Sequence, residues 1–288
     1  MIALFLLQCS IIVSLTVKKG VFYETIMIDC DYIKQGDCLP LMRNLLDGCI
    51  DLTVTSPPYD NLRTYTGFSF DFENIAREIF RITKEGGVMV WIVNDSTVNG
   101  SETGTSFKQA LYFKEIGWNL HDTMIWKKDT SSFPERYRYF QSFEYMFVLS
   151  KGKPKCFNPI KDRKNKYAGT KIHGTFRNKN GTTESRSDKW KNIVCNEYGS
   201  RLNVWEIPSE KHNTTGHPAV FPERLAKDHI LSWSDEGDIV LDPFLGSGTT
   251  AVACIHTNRH YIGFEISHEY FEISQNRIKN KKELSNVN

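Results

Sequence analysis

A chain of 288 residues, 40% of them hydrophobic, is long enough for one large α/β domain and an insertion. The net charge of +2 hides an asymmetry, because residues 151–201 carry fourteen Lys or Arg but only four Asp or Glu. This basic block indicates a polyanionic partner, with a solvated charged loop as the alternative. The seven cysteines form no C-x-x-C pair, which excludes a cysteine-type metal motif and predicts a reduced, cytoplasmic protein.

Residues 1–27 contain two apolar runs, 1–7 and 11–17, which together are borderline for a membrane span. No basic residues precede the first run, unlike in a signal peptide. We interpret the segment as an extension, frayed or added by an upstream start codon, with the functional domain opening at residue 28. A buried strand or helix is the second interpretation and a membrane anchor the third, so we expect no membrane partner.

From residue 28 onward, short apolar runs alternate with amphipathic stretches. The runs predict strands at 32–37, 50–55, 88–93, 118–127, 143–149, 238–242 and 261–265. Periodic spacing of apolar residues is absent from 152–203, which predicts an irregular segment, and it returns at 204–207. The amphipathic stretches predict helices at 39–46, 72–83, 107–116, 221–232, 249–257 and 268–279. This alternation predicts a doubly wound, mostly parallel sheet, in which strands 118–127 and 143–149 form an antiparallel pair.

The segment 242–250, DPFLGSGTT, connects a predicted strand to a predicted helix. Its glycines let a ligand approach the backbone, and the helix start offers N–H groups. The lysine of a phosphate-binding loop is missing and Asp242 would repel phosphate, so a cation such as S-adenosylmethionine (SAM) fits better. Glu265 ends the next strand, at a spacing from which an acidic residue reaches ribose hydroxyls, although a helix-capping glutamate is the alternative.

The segment 55–59, TSPPY, follows the predicted strand 50–55. Its two prolines fix φ and remove N–H donors, so that the Pro57 carbonyl becomes a rigid acceptor. Ser56 supplies a second acceptor and Tyr59 an aromatic face. Two acceptors and a stacking surface suit the exocyclic amino group of a planar base, and a simple proline turn is the alternative.

Together these residues resemble the DNA amino-methyltransferases, which methylate N4 of cytosine or N6 of adenine. The family's catalytic tetrapeptide, (Asp/Asn/Ser)-Pro-Pro-(Tyr/Phe/Trp), corresponds to residues 56–59, and its SAM loop to 242–250. The resemblance implies a catalytic set of Ser56, Pro57, Pro58 and Tyr59. It also implies a cofactor-binding set of Asp37, His217, Pro218, Asp242, Pro243, Phe244, Gly246, Ser247, Gly248, Thr249 and Glu265. We expect no metal, because His212 and His217 lie five positions apart without cysteine partners.

The catalytic loop precedes the SAM loop, which is the permuted motif order of the family's β group. The resemblance thus implies an α/β fold of the SAM-dependent methyltransferase (Rossmann-like) type, circularly permuted. Its parts are a catalytic part at 28–151, an inserted irregular target-recognition region at 152–203 and a SAM-binding part at 204–288.

The activity implied by the resemblance is methylation of a flipped base in double-stranded DNA, by a monomer or homodimer. A cognate restriction endonuclease is left open as a partner. Ser56 favours N4 of cytosine as the target, and the alternatives are N6 of adenine and an RNA amino group.

Overall fold

A computed structural model describes residues 11–19, 22–58, 70–131, 136–171, 174–185, 193–210 and 221–285. The chain divides into a larger unit, residues 1–158 and 204–288, and a smaller unit, residues 159–203. The helices are α1 (Cys38–Arg43), α2 (Phe72–Ile82), α3 (Thr105–Glu115), α4 (Glu223–Trp233), α5 (Thr249–His256) and α6 (His268–Ser285).

The strands are β1 (Ile11–Lys19), β2 (Phe22–Cys30), β3 (Tyr32–Gln35), β4 (Ile50–Thr55), β5 (Thr83–Val93), β6 (Thr97–Val98), β7 (Ser101–Glu102), β8 (Asn119–Lys127), β9 (Phe143–Ser150), β10 (Arg163–Lys164), β11 (Thr175–Arg177), β12 (Thr183–Ser185), β13 (Tyr198–Gly199), β14 (Val204–Glu206), β15 (Ile239–Asp242) and β16 (His260–Glu265). The strands of the main sheet follow the predicted apolar runs, and the structure adds β1 and β2 near the start of the chain and short strands that no apolar run predicted.

The larger unit is built on a sheet of eight strands in the order β14-β8-β9-β5-β4-β15-β16-β3. Only β9 runs against its neighbours, so the predicted mostly parallel sheet and the antiparallel pairing of β8 with β9 are both confirmed. The central strands β4 and β15 are buried along their whole length, as expected when helices cover both faces of a parallel sheet. This arrangement is the α/β fold that the sequence predicts.

Strand β5 begins earlier than the sequence pattern predicts. The apolar run predicts a strand from residue 88, but Gly86 and Gly87 also lie inside β5. The Gly86 N–H donates to the Lys151 carbonyl over 2.7 Å, and the Lys151 N–H donates to the Gly87 carbonyl over 3.0 Å. A Cβ on Gly87 would lie 2.6 Å from a methyl of Thr83, so glycine permits a close approach here instead of ending the strand.

Strands β1 and β2 form an antiparallel pair that includes much of residues 1–27. Strand β2 continues to Cys30, past residue 28, where the sequence predicts the start of the functional domain. The N–H of Asp31 then donates to the Tyr261 carbonyl over 2.8 Å, which leads the chain into β3 beside β16. No helix in the described parts of the chain has both the length and the apolar character needed to cross a membrane.

The smaller unit contains two short antiparallel pairs, β10 with β13 and β11 with β12. Arg201 and Asp162 form an ion pair within this unit, with 2.5 Å between Nη2 and Oδ2. Residues 152–158 belong to the larger unit, where Lys155 contacts Asp51 and Asp238 and the Asn158 N–H donates to the Ser232 carbonyl. The basic segment therefore begins on the larger unit.

A buried carboxylate joins the amino ends of the central strands. Asp51, only 2% exposed, lies 2.7 Å from Lys84 Nζ and 2.8 Å from Lys155 Nζ, and it accepts the N–H of Ile239 over 3.0 Å. Burial acts to raise the pKa of Asp51, but the two ammonium groups and the N–H donor together hold it below its usual value. This cluster connects β4, β5 and β15 at the edge where the strands begin.

We expect Asp51→Asn to lower the free energy of unfolding at neutral pH by about 2–3 kcal/mol, because Lys84 loses its counter-charge and Lys155 keeps only Asp238. Since the folded-state pKa is depressed, this contribution is present above the unfolded pKa, ~3.9, and is lost as the pH falls below it. Urea denaturation of wild type and variant at several pH values measures the difference. Asp47→Asn, which removes the exposed partner of Arg81, is the matched control and should cost less than ~1 kcal/mol. Equal costs for the two variants would contradict the prediction.

Candidate active site at the carboxyl edge of the sheet

The two motif loops leave the sheet side by side. Strand β15 pairs in parallel with β4, with Leu241 opposite Thr53, and it pairs with β16 on its other side. The carboxyl ends of these strands therefore lie at one edge, where ligands bind in open α/β sheets. Segment 56–58 follows β4 and segment 243–248 follows β15, so the fold brings together two motifs that are far apart in the sequence.

The Asp242 carboxylate joins these loops directly. Its Oδ1 accepts from the Thr55 hydroxyl over 2.7 Å and from the Phe244 N–H over 3.1 Å. Its Oδ2 accepts from the Thr250 hydroxyl over 2.6 Å, and Thr250 also reaches the Val54 carbonyl over 3.4 Å. Asp242 is thus an internal connection between the end of β4, the end of β15 and the start of α5.

Burial raises the pKa of Asp242 to about 6, although the donors Thr250, Thr55 and Phe244 N–H act to lower it. Burial likewise raises the pKa of Glu265, which accepts from the N–H groups of Gly246 over 2.7 Å and Ser267 over 2.8 Å. Two desolvated carboxylates on neighbouring strands give this edge a negative potential. Such a site favours a ligand that carries positive charge and hydroxyl donors.

The glycine loop has the backbone geometry that its sequence predicts. Gly246 and Gly248 have φ values of 54° and 85°, in the region that glycine adopts at little cost. A Cβ on Gly248 would lie 3.1 Å from Cβ of Ser274 on α6, so a side chain there would require Ser274 to shift by a few tenths of an ångström. Gly248 is the N-cap of α5 and provides no side chain to cap the helix, which leaves backbone N–H groups directed at the loop.

Three residues outside the predicted set support this loop. Thr55 and Thr250 bind Asp242, and Arg277 on α6 donates to the Ser247 carbonyl over 2.7 Å and to the Ser247 hydroxyl over 2.8 Å. Burial lowers the pKa of Arg277. Thr250 shares the 242–250 segment with Asp242 and was therefore a detectable donor, whereas nothing in the sequence around Thr55 or Arg277 links either residue to this loop.

The other predicted site residues fall into two groups. Asp37 begins α1, where its Oδ1 accepts from the Leu39 N–H over 2.9 Å, and the neighbouring Gly36 N–H donates to the Glu265 carbonyl over 2.9 Å. This contact places Asp37 at the edge that also holds Ser56, Pro57, Pro58, Pro243, Phe244, Gly246, Ser247, Gly248, Thr249 and Glu265. Tyr59, His217 and Pro218 lie outside the described residues.

One group of potential metal ligands in the described part of the chain lies at the opposite edge, where β16 begins. The ligand atoms of Cys30, Asp31 and His260 are within 4.8 Å of one another. Asp31 Oδ2 lies 2.8 Å from His260 Nδ1, and Asp31 Oδ1 accepts from the Tyr261 N–H over 3.1 Å. Burial raises the pKa of the Cys30 thiol to about 12, so a neutral thiol beside a hydrogen-bonded acid accounts for the group.

Comparison with known proteins agrees with this geometry. A family model described as DNA methylase, of the N6/N4 methyltransferase type, matches residues 50–276. The chain is 56% identical to the orphan methyltransferase M.BamHII of Bacillus amyloliquefaciens over 83% of this chain and 92% of that protein.

Two solved structures share the fold. The M1.HpyAVI–SAM complex is 25% identical to this chain, has a TM-score of 0.57 and is matched over 85% of this chain and 98% of that chain. The cytosine-N4-specific PvuII DNA methyltransferase has a TM-score of 0.61 at 19% identity, over 86% of this chain and 90% of that chain, which is a likeness of fold alone. Because the family model covers most of the sequence and the Bacillus relative is more than half identical, the chain belongs to the N6/N4 DNA methylase family.

Proposed function

We propose that this enzyme transfers the methyl group of SAM to the exocyclic amino group of a base in double-stranded DNA, with N4 of cytosine as the preferred target. The observation that carries the proposal is the Asp242 carboxylate, which ties a SAM-type glycine loop to the Ser-Pro-Pro loop. The order of the two loops along the chain supports the permuted arrangement of the β group.

The described residues fit SAM as cofactor. SAM carries a sulfonium and an ammonium group, and the buried acids Asp242 and Glu265 give the edge the complementary charge. Glu265 ends β16 in the position from which a carboxylate binds ribose hydroxyls, and the glycine loop admits a ligand close to its backbone. Asp37 would meet the adenine, and the segment with His217 and Pro218 would complete the cofactor site.

Bound SAM supplies an electrophilic methyl group, and the protein positions the amine. The Ser56 hydroxyl and the Pro57 carbonyl would accept hydrogen bonds from the two N–H groups of the amine. These contacts draw the nitrogen towards sp³ geometry and direct its lone pair at the methyl carbon. A C–N bond forms as the S–C bond breaks, and the surplus proton leaves to solvent after transfer. Catalysis then rests on positioning and electrostatics.

The target base must leave the duplex to reach this edge, which costs a few kcal/mol. In the proposed mechanism, Tyr59 stacks on the extruded base and recovers about 1–3 kcal/mol of this cost.

No cysteine takes part in this mechanism. Burial raises the pKa of Cys38 to about 12 and that of Cys49 to about 11, so both thiols are protonated at neutral pH. Cys38 is the thiol that follows Asp37 at the site edge, and a neutral thiol there is a poor nucleophile. Direct transfer to the amine is therefore the proposed route.

The smaller unit supplies DNA contacts in this proposal. Within residues 159–203, exposed basic side chains accompany Tyr167, which is 65% exposed, and Tyr198. Exposed lysines and arginines interleaved with aromatic residues suit a nucleic-acid partner. Because the Bacillus relative is named an orphan methyltransferase, we propose that this chain also acts without a cognate endonuclease.

The decisive test is to incubate the protein with unmethylated DNA and isotope-labelled SAM, digest the DNA to nucleosides and identify the labelled nucleoside by mass spectrometry. We expect label in N4-methylcytosine. Label in N6-methyladenine would retain the cofactor and mechanism but overturn the inference from Ser56. Transfer to RNA with none to DNA would overturn the proposed substrate, and an RNA competitor in the same reaction distinguishes these outcomes.

The connection through Asp242 predicts separable effects on the two loops. Thr250→Val removes a donor on the cofactor side, and we expect SAM binding to weaken at least about tenfold, as for a lost hydrogen bond to a charged group. Thr55→Val removes the donor next to Ser56, and we expect a larger loss in kcat than in SAM affinity. Calorimetric SAM titration and steady-state turnover measure the two effects. The matched controls Thr250→Ser and Thr55→Ser keep the hydroxyl and should stay near wild type, and equal losses in all four would contradict the assignment.

The same carboxylate predicts a pH dependence of SAM binding. Asp242 accepts from three donors and is therefore required in its ionised form, so SAM affinity should fall as the pH drops through about 6. Burial also raises the pKa of Glu265 on β16, so protonation of Glu265 at acidic pH would weaken SAM binding in the same direction. Burial raises the pKa of Cys254 on α5, which therefore stays neutral. Thr55→Val should move the midpoint to higher pH because it removes a donor that lowers the pKa of Asp242 only. An unchanged midpoint in this variant would argue against Asp242 as the titrating group.

A further inference from the structure

A short loop ahead of β9 presents aromatic side chains to solvent at the edge that holds the candidate site. Within residues 136–140, RYRYF, Tyr137 is 88% exposed, Tyr139 is 100% exposed and Phe140 is 59% exposed. Three aromatic side chains left in water within four positions are unfavourable for the isolated protein, and such clusters usually mark an interaction site. None of the three belongs to the predicted catalytic or cofactor-binding sets.

The loop is held in place from below by polar contacts. Gln141 Nε2 donates to Asn94 Oδ1 over 2.8 Å, and Asn94 directly follows β5. Arg138 donates to the Gly100 carbonyl and lies 3.5 Å from Glu102, which binds the loop to the β6–β7 hairpin. These contacts use the polar side chains of the loop for anchoring and leave the aromatic rings directed outwards.

The sheet register fixes the position of this loop relative to the Ser-Pro-Pro loop. Thr55 of β4 pairs with Trp91 of β5, and Val93 of β5 pairs with Tyr145 of β9. The start of β9 is therefore two strands from the end of β4, or about 10 Å across the sheet. The loop leads into β9 at this same edge, so a duplex that delivers a base to Pro57 approaches the edge from which the loop projects.

From this placement we propose that residues 136–140, here called the rim loop, stack on DNA bases beside the target and stabilise the distorted duplex. The inference rests on the proposed function. Arg136 lies 5.6 Å from the Tyr137 ring and is exposed, so a phosphate contact accompanies the aromatic faces. Aromatic rings next to arginine suit unstacked bases, whose faces stack regardless of sequence. A second copy of the chain suits the rim loop less well, because the exposed Arg136 of one copy would face Arg136 of the other.

The test uses the full-length protein. Wild type is first incubated with an unmethylated plasmid and SAM, and the modified positions are mapped by sequencing. A short fluorescent duplex centred on one mapped position is then titrated with each variant. If wild type modifies no DNA, the proposed function fails and the inference fails with it.

We expect Tyr139→Ala and the double variant Tyr137→Ala/Tyr139→Ala to bind this duplex about 5- to 100-fold more weakly than wild type, as for the loss of base–aromatic stacking. Tyr139→Phe keeps the ring and should bind like wild type. Leu284→Ala, which shortens an exposed apolar side chain (62% exposed) near the end of α6, is the matched control and should also bind like wild type. SAM affinity and thermal midpoint should be unchanged in all four, which distinguishes a DNA contact from a loss of folding.

Arg136→Gln tests the phosphate contact separately. We expect its binding to fall at low salt and the slope of log affinity against log salt to decrease by about one. If wild type methylates DNA while the double tyrosine variant binds the duplex as tightly as wild type, the inference is overturned. It is equally overturned if the double variant changes only the sedimentation of the protein, because the rim loop would then contact a second copy of the chain.

Discussion

The carboxylate of Asp242 accepts hydrogen bonds both from the strand that leads into the catalytic loop and from the cofactor loop and its helix. It is almost fully buried, and an ionised carboxylate at such a position is costly unless donors satisfy it. Thr55, Thr250 and the Phe244 N–H are those donors, and each comes from a different structural element. Any shift of one loop relative to the other leaves an unsatisfied charge in the interior. The geometry between the cofactor loop and the catalytic loop is therefore set by the cost of burying this charge.

The sheet makes this connection possible because β4 and β15 are parallel neighbours. In the sequence Thr55 and Asp242 are 187 positions apart, and their meeting depends on β15 inserting between β4 and β16. At the amino edge of the sheet, Asp51 also connects strands, but its partners are cations. It joins the starts of β4, β5 and β15 through two lysines and one backbone N–H group. One buried acid fixes each end of the central strands. The acid at the amino edge has its pKa lowered by cations, whereas the acid at the carboxyl edge has its pKa raised by burial.

This difference in electrostatics indicates that the acid at the amino edge stabilises the fold, whereas the acids at the carboxyl edge can bind a ligand. A carboxylate with bound cations is neutralised and contributes to stability alone. Carboxylates that only hydroxyls and N–H groups satisfy keep their negative charge, and Asp242 and Glu265 are of this kind. A cationic cofactor can be bound at an edge with this charge. The glycine loop between these acids adds backbone that a ligand can approach, and Arg277 supports that loop from α6.

The sequence alone determined the nature and order of the helices and of the strands of the main sheet, because apolar periodicity is a local property. Strand β4, strand β9 and helix α2 lie within a residue or two of their predicted positions, and the two motif loops follow the predicted strands. It also determined the family, since the Ser-Pro-Pro-Tyr and Asp-Pro-Phe-Leu-Gly-Ser-Gly segments are specific in combination.

Only the tertiary structure decided which distant residues meet. The donors to Asp242, the support from Arg277 and the position of the rim loop depend on strand order, and no local pattern encodes strand order. The glycines at 86–87 illustrate the same limit, because their hydrogen bonds with Lys151 extend β5 beyond the start that its apolar run predicts. Hydrogen bonds between distant parts of the chain override local propensity wherever a buried polar group has to be satisfied.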